Sequence, residues 1–342
     1  FNAMLLTGTQ SEELVARAFR HAGVHHNMAK DAAVVLTMTE MMGIGTHGLA
    51  RVPGYIERVL QGGVNPKALP QISTPAPALR MVDGQNGLGA AIAFLATKAA
   101  MEAARSAGIG AVFCKGSSHL GALAPHLYMA AQAGFAAIVT TNTAPMIAPS
   151  GGCEPVLGNS PIGFAIPSEE GMPILLDMAL SVVARSKVRR AAQMGEMIPE
   201  TWATDAAGLP TQDAKAAMQG LMQAIGGSKG ANLALCLDLL AGGLSGAAMM
   251  SEIPNANLDP SAVANIGHMF IFVDVARLMP LGAFTERVSD ARSMVETSTA
   301  MTEAEAIRMP GSRAITLLQQ TRDEGFNIPQ ALGVELTRLA SR

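Results

Sequence analysis

The stretch Gly45-Thr46-His47-Gly48-Leu49-Ala50-Arg51 places an imidazole and a guanidinium four residues apart, with a glycine close on either side of the histidine. An imidazole hands over protons near neutral pH, and a guanidinium grips a carboxylate through two parallel hydrogen bonds. If a helix begins at His47, the i,i+4 spacing sets both side chains on one face, where a small 2-oxo acid could meet both. That chemistry suits a reductase. The competing reading is that the histidine is a hydrogen-bonded turn residue and the arginine a solvated surface group.

Asp177 follows Pro173-Ile174-Leu175-Leu176, so it is expected at the end of a buried strand, where a charge must find a partner. An imidazolium such as that of His47 would satisfy it and gain a raised pKa. Capping a helix that starts at Met178 is an equally good use. Lys115-Gly116-Ser117-Ser118-His119-Leu120-Gly121-Ala122 joins a strand to a helix with small residues and free amides, which is phosphate-cradle chemistry or an ordinary turn. Gly226-Gly227-Ser228-Lys229-Gly230 offers a flexible loop and one cation before a helix, without the upstream spacing of an ATP-binding loop. Arg308-Met309-Pro310-Gly311-Ser312-Arg313 could clamp a phosphate between two guanidiniums or form a surface turn.

Gly43-Ile44-Gly45-Thr46-His47-Gly48 matches GxGxxG by letter. A dinucleotide fingerprint of that kind needs a strand before it and an acid some way after it, and here a helix precedes. Gly87-Leu88-Gly89 follows a better strand but lacks the third glycine.

The elements that must position these groups begin with helical patterns over 11–22 and 30–42, the first opened by a capping box from Thr9 to Glu12. A third helix spans 52–60 and is stopped by Gln61-Gly62-Gly63, ahead of a Pro-rich connector over 66–77. Strands are expected over 78–82, 109–114, 136–140, 174–177 and 269–275. They alternate with helices over 89–107, 122–133 and 230–240. Helical patterning returns over 284–295 and 313–324. The first unit is thus mostly helical and the middle is α/β.

With 342 residues, 49% hydrophobic and 15% charged, the chain has material for two packed units and a sizeable core. A net charge of -3 and scattered Lys and Arg exclude a nucleic-acid partner. Three widely spaced cysteines fit neither a disulfide framework nor a zinc knuckle, so a reducing cytoplasm and no metal are expected. The apolar runs are broken short of a membrane span, and the chain opens without a signal-peptide pattern; Phe1-Asn2-Ala3 before Met4 reads as the remnant of a cleaved tag. Only 4% of residues are aromatic while 22 are methionine, so the core should be filled by small aliphatics and thioethers. So few charges on so apolar a chain point to a symmetric dimer covering apolar surface.

Taken together, these segments resemble the malate/L-lactate dehydrogenase family of NAD(P)-dependent oxidoreductases that lack a Rossmann fold. The residues that carry the resemblance run through most of the chain: Thr46-His47-Gly48 with Arg51, Pro53 and Tyr55; Ser118-His119-Leu120-Gly121; Ala148-Pro149-Ser150-Gly151-Gly152; Gly158-Asn159-Ser160-Pro161; Asp177-Met178-Ala179; Ile198-Pro199-Glu200 with Trp202; Gly208-Leu209-Pro210-Thr211; Gly226 to Gly230; and Pro310-Gly311. The resemblance implies a helical domain, 4–75, with C-terminal helices over 295–342 packing back on it, and a mixed α/β cofactor-binding domain, 76–294. It implies His47 as proton donor, Asp177 and Thr46 as its relay partners, and Arg51 as the clamp for a small carboxylate substrate. Cofactor contacts would fall on His119, Gly121, Ala122, Leu123, Lys229, Gly230, Arg308, Gly311 and Arg313, in a homodimer. The cofactor would be NAD(P)H, with NADP slightly favoured over NAD. Ala184-Arg185-Ser186-Lys187 stands where the family more usually has Gly before that Lys, and Asn232 where Gly is common. Members of the family act on malate, lactate, ureidoglycolate, diketogulonate and cyclic imino acids. Reduction of a cyclic imine carboxylate such as Δ1-piperideine-2-carboxylate is therefore the nearest alternative, and a cofactor-binding protein without turnover is the rival from another class.

Overall fold

The computed structural model describes residues 3–302 and 306–341. Phe1 and Asn2 lie outside the described residues, whereas Ala3 belongs to strand β1 (Ala3–Leu6). Helix α1 (Gly8–His21) is opened by Thr7, not Thr9: the Thr7 hydroxyl accepts from the Gln10 amide at 3.2 Å, and the Gln10 side chain accepts from the Thr7 amide at 2.9 Å. The box therefore forms two residues earlier than the Thr9–Glu12 pattern predicts, because glutamine closes it as well as glutamate does.

Helix α2 (His26–Met41) is buried along most of its length and packs against α1. It is followed by two single 3-10 turns and α3 (Val52–Gln61), which ends at the left-handed Gly62, φ 89°. The Pro-rich connector holds a strand, β2 (Gln71–Ala76), paired only with β3 (Leu79–Asp83). An edge strand can carry Pro75 because it needs no full ladder of amide donors.

Helix α4 (Gly89–Ala107) keeps the boundaries read from its alanine pattern, and its buried alanines let it lie close on β4 (Ile109–Ser117). After α5 (Ala124–Gln132) come β5 (Phe135–Thr141), β6 (Ile162–Ile166) and β7 (Ile174–Met178). Then follow α6 (Arg185–Met194), the short α7 (Ala214–Ala217) and α8 (Ser228–Asp238), which runs into a π-helical turn at Leu239–Gly243. Strand β8 (Ile266–Asp274), α9 (Leu281–Glu296), α10 (Ser312–Glu324), β9 (Phe326–Pro329) and α11 (Gln330–Leu339) complete the described chain.

Seven strands form one sheet in the order β2-β3-β4-β8-β5-β6-β7, and β9 pairs with β1 in a separate ribbon. Only β3 and β4 run parallel; the other pairings are antiparallel, so this is a mixed sheet and not the doubly wound parallel sheet of a Rossmann fold. A continuous core runs from Phe19, Leu36 and Leu49 through Ile92 and Leu127 to Phe270 and Phe272 on β8. Helix α10 packs on α2, and α11 on α1 and α3. A second apolar cluster, including Leu157, Leu180, Val188 and Leu237, sits under the loops between β5 and β8.

Candidate active site

The segment carrying His47 and Arg51 is not a helix face. Gly45–His47 and Leu49–Arg51 are separate 3-10 turns, divided by Gly48 at φ -93° and ψ -129°. The cause lies on α2: Glu40 reaches into the loop and accepts the Leu49 amide at 2.9 Å. A Cβ at Gly48 would come within 2.5 Å of the Glu40 carboxylate, and one at Gly45 within 2.9 Å. These two glycines therefore let the loop close on Glu40, and the GxGxxG match has no phosphate-binding geometry behind it. Gly43, φ 74°, packs against the Leu317 side chain. Both His47 and Arg51 converge nonetheless on Thr46. Arg51 Nε donates to the Thr46 carbonyl at 2.7 Å, and His47 Nδ1 lies 3.0 Å from the Thr46 hydroxyl. One residue thus orients the imidazole and ties the guanidinium back beside it.

The His119 ring lies 5.7 Å from the His47 ring, tilted by 33°. Its Nδ1 is 2.5 Å from the Tyr55 hydroxyl on α3 and 3.3 Å from the Gly121 amide. Gly121 has φ 93°, and a Cβ there would come within 3.3 Å of the His47 carbonyl, so glycine is what allows the two loops to meet. Asp177 Oδ2 accepts the amides of Leu123 and Ala124, each at 2.9 Å. It caps α5 rather than a helix at Met178, and it makes no hydrogen bond to His47. The donors at the start of α5, with the positive end of its dipole, supply what an imidazolium was expected to supply.

The electrostatics follow from this crowding. Burial, and then the Arg51 charge, push the His47 pKa down to about 4. His119 is lowered well below the ordinary histidine value by burial, then Arg51, His47, His268 and Arg58. Burial raises the Asp177 carboxyl while its two amide bonds oppose the rise; the residue is also open on one side, and water there limits the effect. Around the two imidazoles the site is rich in positive charge, so it favours an anion.

The other expected positions are distributed along one thread, residues 175–182. Leu175 donates to the Pro310 carbonyl at 3.2 Å, and Gly311, φ 80°, lies so close that a Cβ would approach the Leu175 carbonyl within 2.6 Å. Arg308, Gly311 and Arg313 line a cleft of about 360 Å³ whose other wall is Met42-Gly43-Ile44, next to the His47 turn. On the far side, the Ile225 amide bonds the Leu180 carbonyl at 2.9 Å, leading into the loop before α8. Gly226 and Gly227 both have φ 61°, and Lys229 is exposed in the first turn of α8. That loop borders a second cavity, of about 310 Å³, shared with Ala148 to Cys153. No bond joins Lys229 to the His47 turn. Gly230 packs against the Ile225 carbonyl, leaving no room for a side chain. Ala122 and Leu123 are buried, so only their backbone could touch a ligand, and the Leu123 amide is already held by Asp177.

A dinucleotide fits these features. The starts of α8 and α10 lack side-chain caps, both follow glycines with positive φ, and Lys229, Arg308 and Arg313 stand beside them as exposed cations. Among the described residues no cluster of His, Cys, Asp and Glu could hold a metal ion, and no helix is long and apolar enough to cross a membrane. Sequence reasoning missed Glu40 entirely and used Tyr55 only as a pattern residue. The one available signal was Tyr55 standing four residues after Arg51, the residue that caps α3.

A family model described as malate/L-lactate dehydrogenase matches residues 7–337. A malate dehydrogenase of Pyrococcus abyssi is 33% identical over 336 residues, covering 96% of this chain and 92% of that protein. A Delta(1)-pyrroline-2-carboxylate/Delta(1)-piperideine-2-carboxylate reductase of Pseudomonas aeruginosa is 31% identical over 334 residues, 98% of each chain. Among solved structures, the sulfolactate dehydrogenase from Methanocaldococcus jannaschii superposes with a TM-score of 0.90 at 29% identity, covering 98% of this chain and 96% of that one.

Proposed function

The chain belongs to the malate/L-lactate dehydrogenase family, and from that premise we propose that it interconverts a small 2-oxo acid and its 2-hydroxy acid, with His47 moving the proton. The observation that carries this is the Thr46 junction, where one residue's hydroxyl and carbonyl hold an imidazole and a guanidinium side by side. In the reductive direction a nicotinamide cofactor, when bound, would supply the hydride for C2. Arg51, with Nε committed to Thr46, keeps its terminal nitrogens for the substrate carboxylate. His47, with Nδ1 on the Thr46 hydroxyl, gives a proton from Nε2 to the oxygen on C2 as that oxygen becomes an alkoxide. In the oxidative direction neutral His47 takes the same proton back. Asp177 acts through the backbone, fixing the segment that brings Gly121 and His119 against His47. In the free chain burial, and then Arg51, hold His47 neutral; a bound carboxylate would oppose the Arg51 part, so the proton would arrive with the substrate.

Lys229, Arg308 and Arg313, with the amides of Gly230 and Gly311, would hold the cofactor's phosphates, and the stretch His119 to Leu123 would line its reactive end. Three exposed cations at two helix starts favour NADP slightly over NAD. Residues 4–75 with 295–342 would act as the helical domain and 76–294 as the cofactor domain. The exposed Leu233, Leu239, Leu240 and Leu244 along α8 and its π turn support a homodimer, and the three free thiols suit a reducing cytoplasm.

The likeness to the Pseudomonas aeruginosa reductase favours a second reading, reduction of a cyclic imine carboxylate, whose carboxylate would meet the same arginine. Nicotinamide absorbance, followed for 2-oxo acids and cyclic imines with both reduced cofactors, tests the pair. Turnover of 2-oxo acids is expected. Turnover of imines alone would install the second reading, and tight cofactor binding with no turnover of either would leave a binding protein.

A further inference from the structure

The bonds around His119 define where its proton can be. Nδ1 faces the Gly121 amide, and a backbone N–H can only donate, so Nδ1 presents a lone pair there. The Tyr55 hydroxyl, 2.5 Å from the same nitrogen, must then donate as well. When the ring is neutral its single proton lies on Nε2. That atom has no hydrogen-bond partner among the described residues and is not among the fully occluded unsatisfied atoms, so it keeps some accessible surface on a ring 5.7 Å from that of His47.

We propose that Tyr55 is a positioning residue: with the Gly121 amide it locks His119 as the neutral Nε2–H tautomer, so that His119 is a fixed hydrogen-bond donor to an oxygen of the bound carboxylate substrate, while His47 alone carries the exchangeable proton. This deepens the oxidoreductase reading and rests on it. Two imidazoles 5.7 Å apart beside Arg51 cannot both hold a positive charge cheaply. Occupying Nδ1 of one with two donors takes it out of the competition, so the proton brought in with the substrate goes to His47. The charged and titratable groups facing His119 all act in that sense: Arg51 and His47 from the 45–51 turns, Arg58 with Tyr55 on α3, and His268 on β8. Burial keeps Tyr55 protonated, as the arrangement requires. His268 adds support from beneath, its Nε2 lying 2.7 Å from the Ser117 hydroxyl two residues before His119.

The test is two-bond proton–nitrogen NMR on the full chain labelled at its seven histidines, with His119 assigned by the His119→Gln spectrum. In the wild type the expected His119 signal is an unprotonated Nδ1 and a protonated Nε2, unchanged between about pH 5 and pH 8. In Tyr55→Phe, which keeps the ring and removes the donor, that signal should shift toward mixed tautomers. Turnover of the best carboxylate should then fall about 10-fold in kcat with little change in KM, the size of one lost hydrogen bond. A protonated Nδ1 or a titrating His119 in the wild type overturns the proposal even if Tyr55→Phe does not fold, and so does unchanged kcat in a folded Tyr55→Phe. The spectra need no turnover. A correct tautomer in a chain that reduces nothing would therefore count against the oxidoreductase reading, whereas a titrating His119 in an active enzyme counts against the positioning role.

Discussion

His47 and His119 lie ring to ring at 5.7 Å beside the Arg51 guanidinium, whereas His126 on α5 and His268 on β8 are fully buried, each edge-on to Phe270 at 5.8 and 6.4 Å. Both pairs are held neutral. In the core the dominant cause is burial, which pushes His126 and His268 down to about 3. At the site burial is joined by the repulsion of Arg51, and His47 settles at about 4. The difference matters because burial is a permanent property of the fold, while a guanidinium's repulsion ends when an anion lands on it. Only the site pair is built so that a ligand can reverse part of its shift.

The largest test of that distinction is to remove one histidine from each pair. His47→Ala should lower kcat by roughly 10²- to 10⁴-fold with cofactor affinity unchanged, the usual worth of a general acid. His126→Phe, which keeps a ring in the core, should leave kcat alone. Steady-state rates together with cofactor fluorescence titration check both, and equal kcat for His47→Ala and wild type would erase the contrast.

Arg51→Ala separates the two causes of the His47 shift. Losing a bidentate carboxylate clamp should raise KM by roughly 10²-fold, with a smaller change in kcat. The same substitution removes the repulsion, so the His47 pKa should climb above its wild-type value of about 4. An NMR titration of His47 in the variant reads this directly, and an unmoved titration would mean that burial alone sets the shift.

The pH profile sharpens the comparison further. Reduction needs protonated His47, and kcat/KM reports the free enzyme, so it should fall as pH rises through about 4 and keep falling across neutrality. The limb in kcat reports the complex, where the substrate carboxylate offsets Arg51, so it should lie at higher pH. Oxidation needs neutral His47, and its kcat/KM should rise through about 4 and then stay level. Coincident limbs in kcat and kcat/KM would show that the substrate leaves the imidazole unaffected.

How much of this was legible depended on range. Helix α4 was read to the residue because its alanine pattern and the left-handed Gly108 are local signals. The helix that could begin at His47 does not form, and the turn alternative holds, because Glu40 on another element reaches the Leu49 amide from nine residues away. Asp177 does stand near a strand end and take donors, but the position is open to solvent rather than buried, and the donors belong to a helix start 53 residues earlier, beyond any spacing rule. Strand β2 hid behind its proline, β6 is only five residues long, and β1 and β9 pair across nearly the whole chain. The histidine and arginine were visible as chemistry; the tyrosine that orients His119 was not, because its role exists only once α3 lies against the 117–121 loop.

The core pair carries the smallest effect, in stability rather than turnover. His126 Nδ1 lies 2.9 Å from the Thr97 hydroxyl, which itself donates to the Ala93 carbonyl, so the ring must supply the proton of that bond from Nδ1. Its Nε2 is then a buried lone pair with no partner. Protonating that nitrogen in place is prohibitive, whereas an unfolded chain protonates it at an ordinary pKa near 6.5. The unfolded state therefore binds more protons below that value. Stability is fully present above about pH 6.5 and is lost as pH falls toward the folded value of about 3. At about pH 5 the share of His126 is roughly 2 kcal/mol. Urea unfolding at about pH 7 and pH 5 should show wild type weakening between the two, and His126→Phe weakening by about 2 kcal/mol less, since phenylalanine has nothing to titrate in either state. If the two proteins weaken equally, His126 is not held neutral by its surroundings, and the contrast between a core that excludes the proton and a site that admits it with the substrate fails on the core side.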